Sequence, residues 1–240
     1  MASVKRPADE SSSSDLVSPK QPKLEKSESK NTDVVISSGV RKGERPEMQD
    51  RHAIELKLNC GVENIEQSIL IGLFDGHAGF KCSEYCNQNY SKVFSTLCQK
   101  YANKNQELLE KSMKKIFLES YKTVDDGFLA EARKNKPALK DGSTGSTVFI
   151  LNKTIYAAKV TITESDLFLI IGTDGLWKVF KPMEAIDYVY KKFSESNEQS
   201  LEKTFNSIAD SLAAQGVLRG SGDNVSVVIV AFTENLQKLD

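Results

Sequence analysis

The sequence predicts an α+β fold in which strands form a sandwich and helices flank it. Two blocks of short apolar, strand-like segments occur along the chain, and each block is accompanied by two helical segments. The last apolar segment, Val225–Phe232, is apolar on both faces, which is typical of a strand buried between layers. With 240 residues, 39% of them hydrophobic, the chain is long enough for one domain with its own core.

The first block contains three predicted strands, Val34–Val40, His52–Leu58 and Ile69–Phe74, and the polar segment Arg41–Asp50 forms the turn between the first two. A helix follows and ends at about Tyr101. In the next segment apolar residues repeat at steps of three and four, which predicts a helix with one core-facing side: Leu109, Met113, Ile116, Phe117, Tyr121, Val124 and Phe128.

The second block begins with a predicted hairpin, in which "STVFIL" (Ser146–Leu151) and "TIYAAKV" (Thr154–Val160) are joined by Asn152-Lys153. Leu167–Thr173 is a further strand, and Pro182 suits the first turn of a helix. The apolar positions of the last two helices are Ile186, Val189, Tyr190 and Phe193, then Leu201, Phe205, Ile208 and Leu212.

Residues 1–32 are predicted to form a disordered tail, because they hold eight serines and three prolines and the first aromatic residue of the chain is Phe74. Two basic clusters in this tail resemble a bipartite nuclear import signal: Lys5 and Arg6, then Lys20 and Lys23. Five acidic residues lie among the basic ones, so a solvated tail of mixed charge is the alternative.

A formal net charge of −1 argues against bulk attraction to nucleic acid or to acidic membranes. No apolar stretch approaches the ~18 residues that a membrane-spanning helix needs, and no secretory signal is recognisable. The four cysteines match no zinc-binding spacing and are expected to be reduced. We therefore expect a monomeric intracellular protein, found in the cytoplasm and the nucleus.

Four aspartates stand at the ends of strand-like segments, namely Asp50, Asp75, Asp174 and Asp223. Three of them adjoin a glycine, which lets the backbone approach closely. Several carboxylates without a cluster of histidines or thiolates favour hard divalent cations such as Mg²⁺ and Mn²⁺ over zinc. Asp-Gly is also a common turn dipeptide. Its recurrence after two matched apolar strands nevertheless favours a metal centre.

Five motifs in this order resemble the metal-dependent type 2C protein serine/threonine phosphatases: "RPEMQD" (45–50), "FDGHAG" (74–79), "DGSTGST" (141–147), "TDGLW" (173–177) and "GSGDNVSV" (220–227). The resemblance assigns residues 33–240 to one phosphatase-like domain. It implies two antiparallel sheets packed face to face, with helices on the outside and two Mg²⁺ or Mn²⁺ ions at one end.

The resemblance also implies a set of metal ligands. Asp75 would bridge the two ions and the Gly76 carbonyl would bind one of them, whereas Asp174 and Asp223 would hold the other. Asp50 would orient the waters bound to the metals. A water between two cations has a much lowered pKa, so it can attack phosphorus at neutral pH.

Two further residues take catalytic roles by the same resemblance. Arg45 would hold the substrate phosphate, because a guanidinium matches the geometry of phosphate oxygens. His77 would protonate the leaving alkoxide, since an imidazole titrates near neutral pH. Without the motifs, Arg45 would pass for a surface charge and His77 for a turn residue.

The sequence departs from the family pattern at three places. Gln49 stands where most members have a glutamate, and its amide oxygen could bind a metal only weakly. Lys178 replaces an acid that often helps to hold an additional metal. After Val160 a block of dozens of residues is missing, so the domain is internally truncated between about 160 and 161. The sandwich is therefore shortened in the middle, with unpaired sheet edges expected there.

Two functions are compatible with this sequence. The intact site residues favour hydrolysis of phosphoserine and phosphothreonine on proteins, with phosphoprotein substrates and a kinase complex as partners. The missing block favours a catalytically weak or inactive isoform that acts as a kinase-binding or partner-binding interaction protein.

Overall fold

The computed structural model describes residues 34–157 and 160–237. The predicted tail, with Lys5, Arg6, Lys20 and Lys23, lies outside the described residues. Within the described ranges, no helix combines the length and the apolar character needed to cross a membrane.

The described chain contains both strands and helices. The strands are β1 (Val34–Arg41), β2 (Arg51–Glu55), β3 (Ser68–Phe74), β4 (Gly76–His77), β5 (Gly142–Ser143), β6 (Ser146–Leu151), β7 (Thr154–Tyr156), β8 (Val160–Thr161), β9 (Phe168–Gly172) and β10 (Val225–Phe232). The helices are α1 (Lys81–Ala102), α2 (Gln106–Ala132), α3 (Asp174–Trp177), α4 (Pro182–Ser194), α5 (Leu201–Leu218) and α6 (Thr233–Leu236).

The strands form two main antiparallel sheets. One sheet has the order β2-β3-β6-β7-β8 and the other has the order β1-β10-β9. β4 and β5 form a separate two-stranded sheet. The predicted α+β fold with antiparallel sheets is therefore confirmed.

Three apolar clusters define the layers of the domain. The first fills the space between the two main sheets and takes alternate residues of β3, β6 and β10. The second lies between the outer face of the larger sheet and helices α1 and α2. The third lies between the smaller sheet and helices α4 and α5. Because both faces of β3 and β10 are covered, these strands read as continuous apolar runs in the sequence.

The register of the strands brings the polar loops together at one end of the sandwich. In the larger sheet Phe74 pairs with Arg51, so the chain leaves β3 where it enters β2. In the smaller sheet Gly172 pairs with Val227, so it leaves β9 near the start of β10. The residues that flank these strands are the aspartates singled out in the sequence.

The segment after β6 differs from its prediction. The sequence predicts one strand over "TIYAAKV", whereas the structure has β7 and, from Val160, β8. Thr154 pairs with Thr161 and Ile155 with Val160, so the chain folds back on itself. The two short strands lie at one edge of the larger sheet, and β9 lies at one edge of the smaller sheet. Both edges adjoin the place where the family pattern is interrupted.

Candidate metal centre

The four aspartates come from both sheets and meet at the end of the sandwich. Asp50 precedes β2 and Asp75 follows β3 in the larger sheet, whereas Asp174 follows β9 and Asp223 precedes β10 in the smaller one. Their charges act on one another: those of Asp50, Asp174 and Asp223 all contribute to raising the pKa of Asp75. The structure thus places the four predicted residues at one end of the sandwich, and their role as metal ligands stays a prediction.

Asp50 is the most deeply buried of these groups, with 4% of its surface exposed. One of its oxygens, Oδ2, accepts hydrogen bonds from the hydroxyls of Thr173 (3.0 Å) and Ser226 (2.8 Å). Burial raises the pKa of Asp50, and the two hydrogen bonds oppose that shift. Because both hydroxyls bond the same oxygen, they fix the orientation of the carboxylate.

Asp75 has a strongly raised pKa. Burial, the charges of Asp50 and Asp174, and a proton shared with the Asp174 carboxyl raise its pKa to about 7. Several carboxylates so close together cannot all ionise cheaply without a cation among them. The site therefore has an excess of negative charge centred on Asp75.

Two basic side chains offset part of that charge. The Lys178 Nζ lies 2.9 Å from Asp174 Oδ2 and 2.9 Å from Asp223 Oδ2, so it bridges the two carboxylates. Arg45 Nη2 donates to the same Asp223 oxygen at 3.0 Å. Burial works to raise the pKa of Asp223, but the hydrogen bonds from Lys178 and the Asn224 N–H, with the charges of Lys178 and Arg45, lower it.

Asn224 holds the loop that carries Arg45. Its Nδ2 donates to the carbonyl oxygens of Lys42 (2.7 Å) and Glu47 (3.0 Å), and its Oδ1 accepts from the Gln49 N–H (2.7 Å). The Asn224 side chain is buried and its hydrogen-bonding capacity is largely used, so the loop is fixed relative to the start of β10. Gln49 thus joins the site through its backbone.

Both Asp-Gly pairs lie where two chain segments cross at close range. A Cβ on Gly76 would lie 2.5 Å from the Gln49 carbonyl oxygen and 2.7 Å from Ser83 Oγ. A Cβ on Gly175 would overlap the Asn224 carbonyl oxygen. These glycines are required because a neighbouring backbone occupies the space of a side chain.

His77 lies at the rim of the site. It is exposed and pairs with Gly142 between β4 and β5. A Cβ on Gly142 would collide with the imidazole ring of His77. The glycine at position 142, in the "DGSTGST" motif, therefore leaves the space that the ring occupies. The imidazole ring therefore packs against Gly142 of β5. In the chain, His77 directly follows Asp75 and Gly76.

The residues fit a centre for hard divalent cations. Among the described residues, no group of three or more histidine, cysteine, aspartate or glutamate side chains already has metal-binding geometry. The donors are carboxylate oxygens from both sheets, and the raised pKa of Asp75 marks charge that a cation would relieve. The donor chemistry, rather than a preformed cage, supports the fit.

Four residues of the site were not singled out from the sequence as its members. Thr173, Ser226 and Asn224 orient Asp50 and the Arg45 loop. Lys178 was noted only as a departure from the family pattern, yet it contacts two of the predicted ligands.

The layered fold, with acidic residues gathered at one end, is that of the type 2C phosphatase class. It is similar to the structure of a serine-threonine phosphatase 2C from Toxoplasma gondii (TM-score 0.61, 13% identity, 82% of this chain and 94% of that chain). It is also similar to the structure of a sex-determining protein of C. elegans (TM-score 0.62, 16% identity, 88% and 68%).

The chain belongs to the protein phosphatase 2C family, whose model matches residues 35–160 and 158–225. It is 24% identical over 278 positions to the integrin-linked kinase-associated serine/threonine phosphatase 2C of Bos taurus, covering 79% of this chain and 74% of that protein. Because 79% of 240 residues is about 190, the alignment contains many positions to which this chain supplies no residue. The two family segments meet at residues 158–160, where the sequence predicts a missing block.

Proposed function

We propose that this chain is a metal-dependent phosphatase that hydrolyses phosphoserine and phosphothreonine on proteins. The observation that carries the proposal is the convergence of Asp50, Asp75, Asp174 and Asp223 from both sheets, with Arg45 beside them. Family membership supports the reaction class, and the donor set supports Mg²⁺ or Mn²⁺ as the ions.

Each residue has a role in the proposed reaction. Asp75, the Gly76 carbonyl, Asp174 and Asp223 would hold the ions, and Asp50, oriented by its two hydroxyl donors, would position their waters. Two divalent ions held by these residues would lower the pKa of a bound water and supply positive charge.

Arg45 and His77 act on the substrate. Arg45 reaches solvent from a fixed loop and would bind two phosphate oxygens through its guanidinium. His77 is exposed beside Gly76 and would give a proton to the leaving alkoxide. Both side chains are on the open side of the site, where a phosphopeptide can reach them.

Hydrolysis of a phosphothreonine peptide tests this function. We expect slow turnover that requires Mn²⁺ and disappears in EDTA. A chimaera that carries, after Val160, the corresponding block of the bovine relative should be faster, because small displacements of reacting groups lower rates steeply. Turnover that persists in EDTA would contradict the proposed mechanism. Metal binding without turnover in either chain would favour the partner-binding alternative.

The partners that we propose are phosphoproteins and, by extension from the name of the bovine relative, a complex containing a kinase. Nucleic acid and membranes are not expected to bind, since the formal net charge is −1. We propose that the phosphatase domain, residues 33–240, acts as a monomer.

We propose that the tail directs part of the protein from the cytoplasm to the nucleus through Lys5, Arg6, Lys20 and Lys23. Changing these four residues to alanine should leave a fluorescent fusion cytoplasmic, because an acidic import receptor would lose its basic contacts. Alanines at the four serines 11–14 make a control of equal size. Nuclear accumulation equal to that of the unaltered fusion would rule out this import signal.

A further inference from the structure

The Lys178 side chain occupies a position between two proposed metal ligands. Its Nζ lies 2.9 Å from an oxygen of Asp174, in α3, and 2.9 Å from an oxygen of Asp223, before β10. The two carboxylates belong to different segments of the chain, so the ammonium group joins them across the site. An ammonium and a divalent ion cannot share that position.

The same contact involves the proposed phosphate-binding residue. Arg45 donates to Asp223 Oδ2, the oxygen that also receives Lys178. A cation bound to this oxygen would displace both side chains. Lys178 is 49% exposed, and its four-carbon stem can swing into solvent without disturbing the core.

We propose that Lys178 is an internal counter-cation, which neutralises Asp174 and Asp223 in the metal-free chain and must be displaced when a divalent ion binds them. This inference rests on the proposed metal-dependent function. It adds that Lys178 and the divalent ion compete for the same two carboxylates. Metal binding then has two effects at Asp223: it removes Lys178 from the site and it releases Arg45 for the substrate phosphate.

Removing the Lys178 charge should have opposite effects on the metal-free and the metal-bound chain. Without metal, loss of the Lys178 charge removes the ion pair of Asp174 and leaves Asp223 with Arg45 alone, which lowers the melting temperature. With metal, loss of the competitor tightens binding. Two exposed ion pairs of ordinary strength correspond to a gain in Mn²⁺ affinity on the order of tenfold.

Titration calorimetry with Mn²⁺ and thermal unfolding with EDTA or Mn²⁺ test the competition in the full chain. Lys178→Met, and Lys178→Gln as a second variant, should bind Mn²⁺ about tenfold more tightly and show a larger Mn²⁺-induced rise in melting temperature than the unaltered chain. Lys42→Met is the matched control. It removes the same charge from the adjacent loop, and no ion pair of Lys42 is present in the described part of the chain.

Two results would overturn the inference in different ways. If the Lys178 variants and the Lys42 variant show the same affinity and the same temperature shift, Lys178 does not compete with the metal, while the proposed function stands. If Mn²⁺ neither binds nor stabilises any of the chains, the proposed metal-dependent function fails together with the inference.

Discussion

Asp75→Asn should lower Mn²⁺-dependent hydrolysis of a phosphopeptide by at least about 100-fold, since the central carboxylate of the site loses its charge and much of its ligand strength. The change is nearly isosteric, so the strand that precedes it should remain in place. Initial rates over a range of Mn²⁺ concentrations measure the effect. Asp187→Asn, on the exposed side of α4, is a matched control that should retain activity.

The same substitution should stabilise the metal-free domain. The pKa of Asp75 is about 7 in the folded chain against an ordinary value of 3.8, so the folded state favours the protonated form. The free energy of unfolding therefore falls as the pH rises from about 4 through 7, and the cost is fully present at pH 8. At pH 8 in EDTA, Asp75→Asn should melt at a higher temperature than the unaltered chain. Undiminished activity, or a lower melting temperature, would contradict the proposed site.

Gly175→Ala should destabilise the domain by about 3 kcal/mol, at the upper end of the usual cost of overpacking. The added methyl group would overlap the Asn224 carbonyl oxygen, which is backbone and cannot rotate away. Either α3, which carries Asp174, or the segment just before β10, which carries Asp223, must move. Urea unfolding of the metal-free chain measures the loss, and weaker Mn²⁺ binding should accompany it.

Gly127→Ala provides the control for the size of the added group. A Cβ at Gly127, in α2, meets the hydroxyl of Tyr85, which lies at the end of a side chain that can move. Alanine also favours a helix over glycine by up to about 1 kcal/mol. We therefore expect the stability of Gly127→Ala to lie within about 1 kcal/mol of that of the unaltered chain. Equal stability for the two variants would show that the crossing at Gly175 is not tight.

The missing block after Val160 affects the support of Asp174. β9, which precedes Asp174, is hydrogen-bonded to β10 and lies at one edge of the described three-stranded sheet. An edge strand has a free row of backbone groups and less support than an inner strand. The position of Asp174 therefore depends on β10, on α3 and on the contact at Gly175.

The sequence by itself determined the main strands and helices and the kinds of residue that stand at their ends. Apolar periodicity predicted the main strands and the long helices, because a strand or helix that buries one or two faces must carry apolar residues at the matching spacing. The position of Asp75 and Asp174 directly after apolar strands predicted that carboxylates would gather. These features are local in the chain, so they can be read from short stretches of it.

The tertiary structure decided which groups meet across the site. Asn224 bonds to Lys42 and Gln49, about 180 residues earlier, and Lys178 reaches Asp223 from a different segment. The division of Thr154–Val160 into two paired strands also depends on how the shortened chain turns back. Such contacts are set by the packing of the two sheets against each other. The spacing of residues within one segment does not specify how that segment packs against a distant one.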